Sequence, residues 1–396
     1  MKKMLPLAGL LVMTAASLCG DYSSGGANKS SNSCAPKCPP PPQCGCPCDE
    51  EAYGMPGQCL NMAFLPPAGP RVACGVDLAI SADFIYWTAR QDGLGYAATN
   101  WANDNDRLPG AAAISKGSVK HPDFGFDPGF KIDLALMLDH DGWDVFAEYT
   151  WFFTGDAKDN AKQADLATSR MGATWFSRNG IVAGDSDSLT QPDNPMFTAA
   201  STKWDLHLQE IDLNLGRNFF VSQYLSMRPH FGFKGTWQSQ RYTNTYLTTD
   251  DQDVTSSIAI DQDMDYWGFG IRTGFNTSWY FTKSWSIYGD VALSALWSQF
   301  DVCRRDRADD DLADDQASFT NFSTENDFHT IIPVLELGIG LRWEMWSCDD
   351  AYHFQIKAGW EEQVWWNMNQ FYGIYEEGSH GNLSLQGFTL KFRFGF

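Results

Sequence analysis

Gly387-Phe-Thr-Leu-Lys-Phe-Arg-Phe-Gly-Phe396 alternates large apolar residues with small or polar ones. Phe388, Leu390, Phe392, Phe394 and Phe396 occupy every second position, with Thr389, Lys391 and Arg393 between them. The apolar period is therefore 2, that of a strand with unlike faces, and not the 3.6 of a helix. In a soluble sheet an edge strand with that many exposed aromatics would aggregate. With hydrocarbon on one side and water or ion pairs on the other, the same alternation is required.

Composition agrees. The 396 residues include 16 Trp, 27 Phe and 14 Tyr, while only 19% are charged. Mean hydropathy is nevertheless negative, and after residue 20 no apolar run is long enough for a membrane helix. Membrane character without helices implies a closed barrel, because every backbone polar group in lipid must be paired internally. The net charge of -21 excludes nucleic acid as a partner, which would need a basic stripe.

Met1-Lys-Lys3, the apolar run 4–13 and the small residues 14–17 read as a secretory signal over residues 1–19. Ala15-Ala-Ser17 offers an ordinary cleavage site, and Leu18-Cys-Gly20 leaves lipoprotein processing at Cys19 open. Residues 20–75 are rich in Ser, Pro and Cys, including Cys34, Cys38, Pro39 to Pro42, Cys44, Cys46, Cys48, Cys59 and Cys74. The prolines keep this segment extended, so it is expected to be a disordered periplasmic arm. In an oxidising compartment its seven cysteines favour disulfides; zinc is the alternative, although no His lies nearby. The barrel is assigned to residues 76–396.

Alternating stretches at 77–88, 130–138, 143–153, 204–216, 225–237, 267–275, 285–297, 331–343, 352–360 and 387–396 predict an all-β, transmembrane antiparallel barrel of about ten strands. In 204–216 the apolar residues change phase between Leu208 and Ile211, which suggests a bulge at Gln209-Glu210. Short connections alternate with long ones at about 91–126, 155–202, 241–263, 301–328 and 366–382. Short turns belong to the periplasm and long loops to the outside, which returns both chain ends to the periplasm. Strands hidden at 110–119 or 174–183 would raise the count to twelve. Ten or twelve strands leave a narrow or partly plugged lumen.

Several stretches together resemble the Legionella-type major outer membrane protein family, which also occurs in chlamydia-like bacteria. They are Ala82-Asp-Phe-Ile-Tyr-Trp-Thr-Ala-Arg90 with Asp92-Gly-Leu94 and Tyr96, His140-Asp-Gly-Trp-Asp144, Trp204 to Arg217, Arg228-Pro-His-Phe-Gly232, Gly268-Phe-Gly-Ile-Arg272 and Pro333-Val-Leu-Glu-Leu-Gly-Ile-Gly340. The resemblance runs from about 78 to 396. It implies an outer-membrane porin for passive diffusion of small hydrophilic solutes, with no enzyme activity and no cofactor. A terminal aromatic such as Phe396 also resembles the signal read by the barrel assembly machinery. The Cys/Pro arm lies outside the matching region and is similar in style to cysteine-rich envelope proteins of chlamydiae.

By phase, twelve charged residues fall on the non-lipid face: Asp83, Lys131, Asp133, Glu148, Lys234, Arg272, Asp290, Glu336, Arg342, Lys357, Lys391 and Arg393. They are candidate pore-lining residues that would set ion preference; the alternative is an ion-pair ladder that fills a plugged structural or adhesin-type barrel. Asp306, Asp309 to Asp311, Asp314 and Asp315 crowd one expected outer loop, and Asp250, Asp251, Asp261, Asp263 and Asp265 another. Such runs are ordinarily a solvated face, and the EF-hand spacing is missing. His207 and His353 are expected to face inward, with no Ser-His or His-Asp grouping at one rim. Cys303 and Cys348 lie on opposite sides of the membrane, too far apart to pair. Cys348 shares a compartment with the seven arm cysteines, so disulfides to other Cys-rich envelope proteins are expected. Outer-membrane lipid and lipopolysaccharide are the other expected partners, and a homo-oligomer is left open.

Overall fold

The computed structural model describes residues 77–101, 117–138, 142–162, 170–175, 196–249, 255–310, 318–347, 352–373 and 381–396. Ten strands carry the architecture: β1 (Leu78–Gln91), β2 (Phe126–Met137), β3 (Trp143–Phe153), β4 (Ala199–Arg217), β5 (Leu225–Thr249), β6 (Thr255–Tyr280), β7 (Trp285–Asp310), β8 (Ser318–Ser347), β9 (Tyr352–Trp365) and β10 (Leu383–Gly395). Each pairs antiparallel with its successor, and β10 pairs with β1, which closes the barrel without an edge. The backbones of Leu78 and Phe396 exchange hydrogen bonds of 3.1 and 2.9 Å, so the start of β1 and the terminal Phe are clamped together at the periplasmic rim. Among the described residues there is no helix, and ten strands close the barrel rather than twelve. Two accessory strands join it: Ala157–Lys162 runs along β4 where β3 has ended, and Phe219–Phe220 folds back on β5. Four short strands, Ala97–Trp101, Val119–Lys120, Arg170–Ala173 and Met196–Phe197, form a second small sheet.

The outer face marks the membrane. On β6 the outward row runs from Trp267 through Phe269, Ile271 and Phe275 to Trp279; on β7 it runs from Trp285 to Trp297. Each Trp pair is twelve residues apart, about 40 Å along a strand, or about 28 Å along the normal at a tilt of ~45°. That matches a hydrocarbon band flanked by two aromatic girdles.

Above the outer girdle the faces exchange character. On β6, Asp261, Asp263 and Asp265 point outward, whereas Ile258, Ile260, Met264 and Tyr266 point inward and are buried. On β7, Asp301 and Cys303 are outside while Leu296, Phe300 and Val302 are inside. The apolar phase follows lipid inside the membrane and an internal core beyond it. This explains the phase change in β4 and removes the expected bulge. The register of β4 with both neighbours is unbroken across Gln209 and Glu210. Leu206 and Leu208 enter the core, and Ile211 and Leu213 meet lipid. With no bulge to turn it, His207 faces outward between the Trp151 and Phe153 rings, contrary to the inward placement expected; His353 is inward and buried.

The expected long loops at 241–263 and 301–328 are also corrected. β5 and β6 stay paired from Leu225 opposite Trp279 to Thr249 opposite Thr255, and β7 pairs with β8 as far as Asp309 opposite Ser318. The polar outward residues that read as loop are the wet face of strands that have left the membrane. Asp306 is buried inside, clasped by Arg304 at 2.8 Å. Asp263 is bound by Arg241 at 2.7 Å, and Asp261 by Arg307 and Thr243.

Two inward-folded segments complete the outer core. Leu94, Tyr96 and Ala97 follow β1 into the mouth, and Met368, Asn369 and Phe371 follow β9; all are solvent-inaccessible. The Tyr242 hydroxyl donates to the Leu94 carbonyl at 3.0 Å, and that of Tyr246 to the Tyr96 carbonyl at 2.7 Å. The Asn369 amide donates to the Asp92 carbonyl at 2.8 Å, tying one segment to the other. Tyr242→Phe strips the Leu94 carbonyl of this donor in a buried setting, so it is expected to cost about 1–3 kcal/mol, read from urea unfolding in detergent micelles.

Candidate functional site

All twelve charged residues singled out in the sequence point into the barrel, and they fall into two groups. The first is a layer of ion pairs at mid-barrel. The Lys234 ammonium, wholly buried, lies 3.1 Å from Glu210, 3.2 Å from Asp212 and 3.2 Å from Glu336. Arg272 reaches Glu336 at 2.6 Å and Asp212 at 3.9 Å. Lys131 binds Glu361 at 2.7 Å and Glu148 at 3.7 Å, while Lys391 binds Asp133 at 2.7 Å, Asp83 at 3.3 Å and Glu148 at 3.4 Å. Glycines opposite the long side chains make room: Gly270 faces Lys234 across the ladder, and a Cβ there would collide with the Ala295 carbonyl. Asp83, Asp133 and Glu148 approach one another closely enough to hold a metal ion, but the Lys391 ammonium already contacts all three.

Directly outside this layer the lumen is shut. Each remaining strand contributes an inward side chain that is essentially inaccessible: Trp87, Phe152, Leu208, Gln238, Tyr266, Leu296, Val334, Trp365 and Leu385, from β1 and β3 to β10 in turn, none above 4% exposed. On β2 the inward position is Gly129, where an added Cβ would strike Ile85 and the Trp151 carbonyl. Rings knit the closure, with the Trp87 and Phe152 centroids 5.8 Å apart and those of Tyr266 and Trp365 6.4 Å apart. The ammonium groups of Lys131 and Lys234 sit under the Trp87 and Trp365 rings at 4.9 and 5.9 Å, joining the polar layer to the apolar one.

The second group surrounds a cavity of about 800 Å³ on the periplasmic side. Its wall carries Arg228, Asp290, Arg342, Lys357 and Arg393, with Asp144, Asn276, Tyr280 and Glu344. Arg228 clasps Asp144 with its guanidinium and donates to Asn276 at 3.0 Å. Arg342 donates to Ser286 at 2.9 Å and to the Tyr280 hydroxyl, and lies 3.6 Å from Glu344. This volume is of ligand-pocket size. The arrangement can hold a small polar solute but offers it no open path to the outer mouth.

Sequence reasoning missed Glu210 and Asp212, the principal partners of Lys234, because the presumed bulge left their facing undecided. It also missed Asp144, Arg228, Glu344 and Glu361. Strand alternation alone could have found these, since each shares its phase with a chosen neighbour. Among the described residues Cys303 is free and exposed on the outward face of β7, and not in a loop as expected. Partial desolvation and then the carboxylates of Asp301, Glu325, Asp263 and Asp265 push its thiol up. Labelling of intact cells with an impermeant maleimide is therefore expected at Cys303, with a rate still rising above the ordinary thiol value of about 8.5; a rate already level there would contradict the account. Cys34, Cys38, Cys44, Cys46, Cys48, Cys59, Cys74 and Cys348 lie outside the described residues.

A closed strand barrel with a lipid-facing band, two aromatic girdles and ion pairs inside is an outer-membrane β-barrel protein. The chain belongs to the family described as Legionella pneumophila major outer membrane protein precursor, whose model matches residues 73–396. No curated protein matches it. Similar solved structures include the outer membrane protease OmpT from Escherichia coli (9% identity, 81% of this chain and 96% of that one, TM-score 0.34). A second is the P. putida toluene transporter TodX (10% identity, 82% and 91%, TM-score 0.30), and a third a Pseudomonas aeruginosa FadL homologue (7%, 81% and 89%, TM-score 0.26). Nothing about this chain's activity follows from likeness at that level.

Proposed function

We propose that this protein is a structural barrel of the outer membrane, closed to free diffusion in its resting state. The observation that carries the reading is the ring of inaccessible side chains across the lumen just outside the charged layer. Buried ion pairs contribute little net stability by themselves but are costly to break singly, so the layer locks the strands in register. Above it, the strands extend beyond the membrane and offer a polar outer wall to lipopolysaccharide and to external surfaces. The Cys-rich arm, joined to β1 at the periplasmic rim, would link the barrel to other envelope proteins or to further copies through disulfides. Loss of a thiol-sensitive ladder on non-reducing gels when Cys34 to Cys59 are replaced would support this. A monomer band without reductant would refute it. Phe396, clamped to Leu78, is the group offered to the barrel assembly machinery.

Passive diffusion of small hydrophilic solutes is the second reading, favoured by the charged vestibule. It requires the segments at 93–97 and 366–371 to withdraw and the aromatic ring to part. Enzyme activity has no support in the placement of the described histidines: His121, His207 and His329 are on the surface, and His230 and His353 are inside. Liposomes loaded with purified protein discriminate the two readings. Failure to swell in isotonic small sugars supports the closed barrel, and swelling at rates graded by sugar size supports the pore.

A further inference from the structure

We propose that the periplasmic vestibule is a binding site for a small solute bearing a doubly charged oxyanion, a phosphate group in the first instance. The starting point is a cost in the sheet. Lys357 on β9 stands directly opposite Arg342 on β8 and Lys391 on β10. Three adjacent strands therefore place cation beside cation, and like charges directly opposite one another destabilise a sheet. Arg393, two residues along β10 from Lys391, adds a fourth cation to the same wall.

Lys391 is neutralised by Asp133, Asp83 and Glu148, and Arg342 is partly neutralised by Glu344 at 3.6 Å. Lys357 and Arg393 make no ion pair among the described residues. The Lys357 ammonium lies over the face of Tyr288, 4.9 Å from the ring centroid. Arg393 keeps a buried Nε–H without any acceptor. Of the carboxylates near them, Asp133 holds Lys391 at 2.7 Å and Asp144 is clasped by Arg228, while Asp290 accepts from the neutral Asn276 amide at 2.9 Å through one oxygen, so one unpaired carboxylate stands against two unpaired cations.

Both free cations line the cavity of about 800 Å³, which is wide enough for a phosphate with a polar body attached. A guanidinium fork and an ammonium on neighbouring strands match a tetrahedral oxyanion, the fork giving paired hydrogen bonds and the ammonium a point charge. Because the cavity opens on the periplasmic side of the closure, the site does not depend on whether the barrel conducts.

The test is isothermal titration of inorganic phosphate into the folded full chain in detergent, with chloride and sulfate at matched ionic strength in parallel. Phosphate is expected to bind, and Lys357→Gln and Arg393→Gln are each expected to weaken it at least about tenfold. Lys203→Gln, which alters an outer cation paired with Asp156 at 3.0 Å, should leave it unchanged. Sulfate binding equally well would assign the site to tetrahedral dianions at large, and preference for phosphate to phosphate-bearing solutes. Both variants relieve like-charge crowding, so the empty barrel should unfold at equal or higher urea, an effect opposite to that on binding. If a variant fails to fold, protection of Lys357 in the wild-type chain serves instead: phosphate should slow its acylation, read by mass spectrometry. No phosphate heat and no protection, or equal binding in all variants, overturns the proposal.

Discussion

Lys234→Met is expected to destabilise the folded barrel by about 3–5 kcal/mol, because it leaves buried carboxylates without their cation. Glu210 and Asp212 have Lys234 within 3.2 Å, and only Asp212 has a further cation, Arg272, at 3.9 Å. Glu210 is left with the Gln363 amide at 3.4 Å. Methionine fills much of the lysine's volume, so packing loss is small and the deficit reports charge. Adding Glu210→Gln to Lys234→Met should recover part of the loss, since one stranded carboxylate is removed. Urea unfolding in micelles measures both variants, and equal stability of wild type and Lys234→Met would mean that the mid-barrel layer is wet.

Leu293→Arg is the second large effect. Leu293 lies on the outward row of β7 between Trp285 and Trp297 and is half exposed, hence in contact with hydrocarbon. An arginine at that depth costs about 2–4 kcal/mol, and near the interface only about 0–1 kcal/mol. Thr245→Arg, on the outward face of β5 well beyond Trp237, should therefore be nearly neutral. Comparable losses in the two variants would place the membrane band wrongly and, with it, the exchange of faces above the girdle.

That exchange also explains what the sequence could and could not disclose. The outward rows within lipid were legible because they carry the strongest signal available, large apolar residues at period 2 against charges. The twelve inward charges followed from the same alternation. Beyond the girdle the signal reverses: Ile258 and Ile260 occupy the face that Arg272 occupies lower on β6, and Asp261 and Asp263 the face of Phe269 and Ile271. A reading that ties apolar residues to one face must end the strand there, so 241–263 looked like a loop. The same reversal in β4 looked like a bulge, and it turned His207 to the wrong side. Closure of the lumen was not legible either, because it needs residues distant in sequence. Leu94 and Phe371 meet Tyr242 only in three dimensions, through a hydroxyl bond of 3.0 Å and ring centroids 5.5 Å apart.

Single-channel recording in planar bilayers shows whether the lumen is closed. Purified wild-type protein, inserted and shown by heat-modifiable gel shift to be folded, is expected to give no discrete conductance steps. Regular steps of uniform size from the wild-type chain would contradict a lumen sealed by Trp87, Tyr266, Leu296 and Trp365.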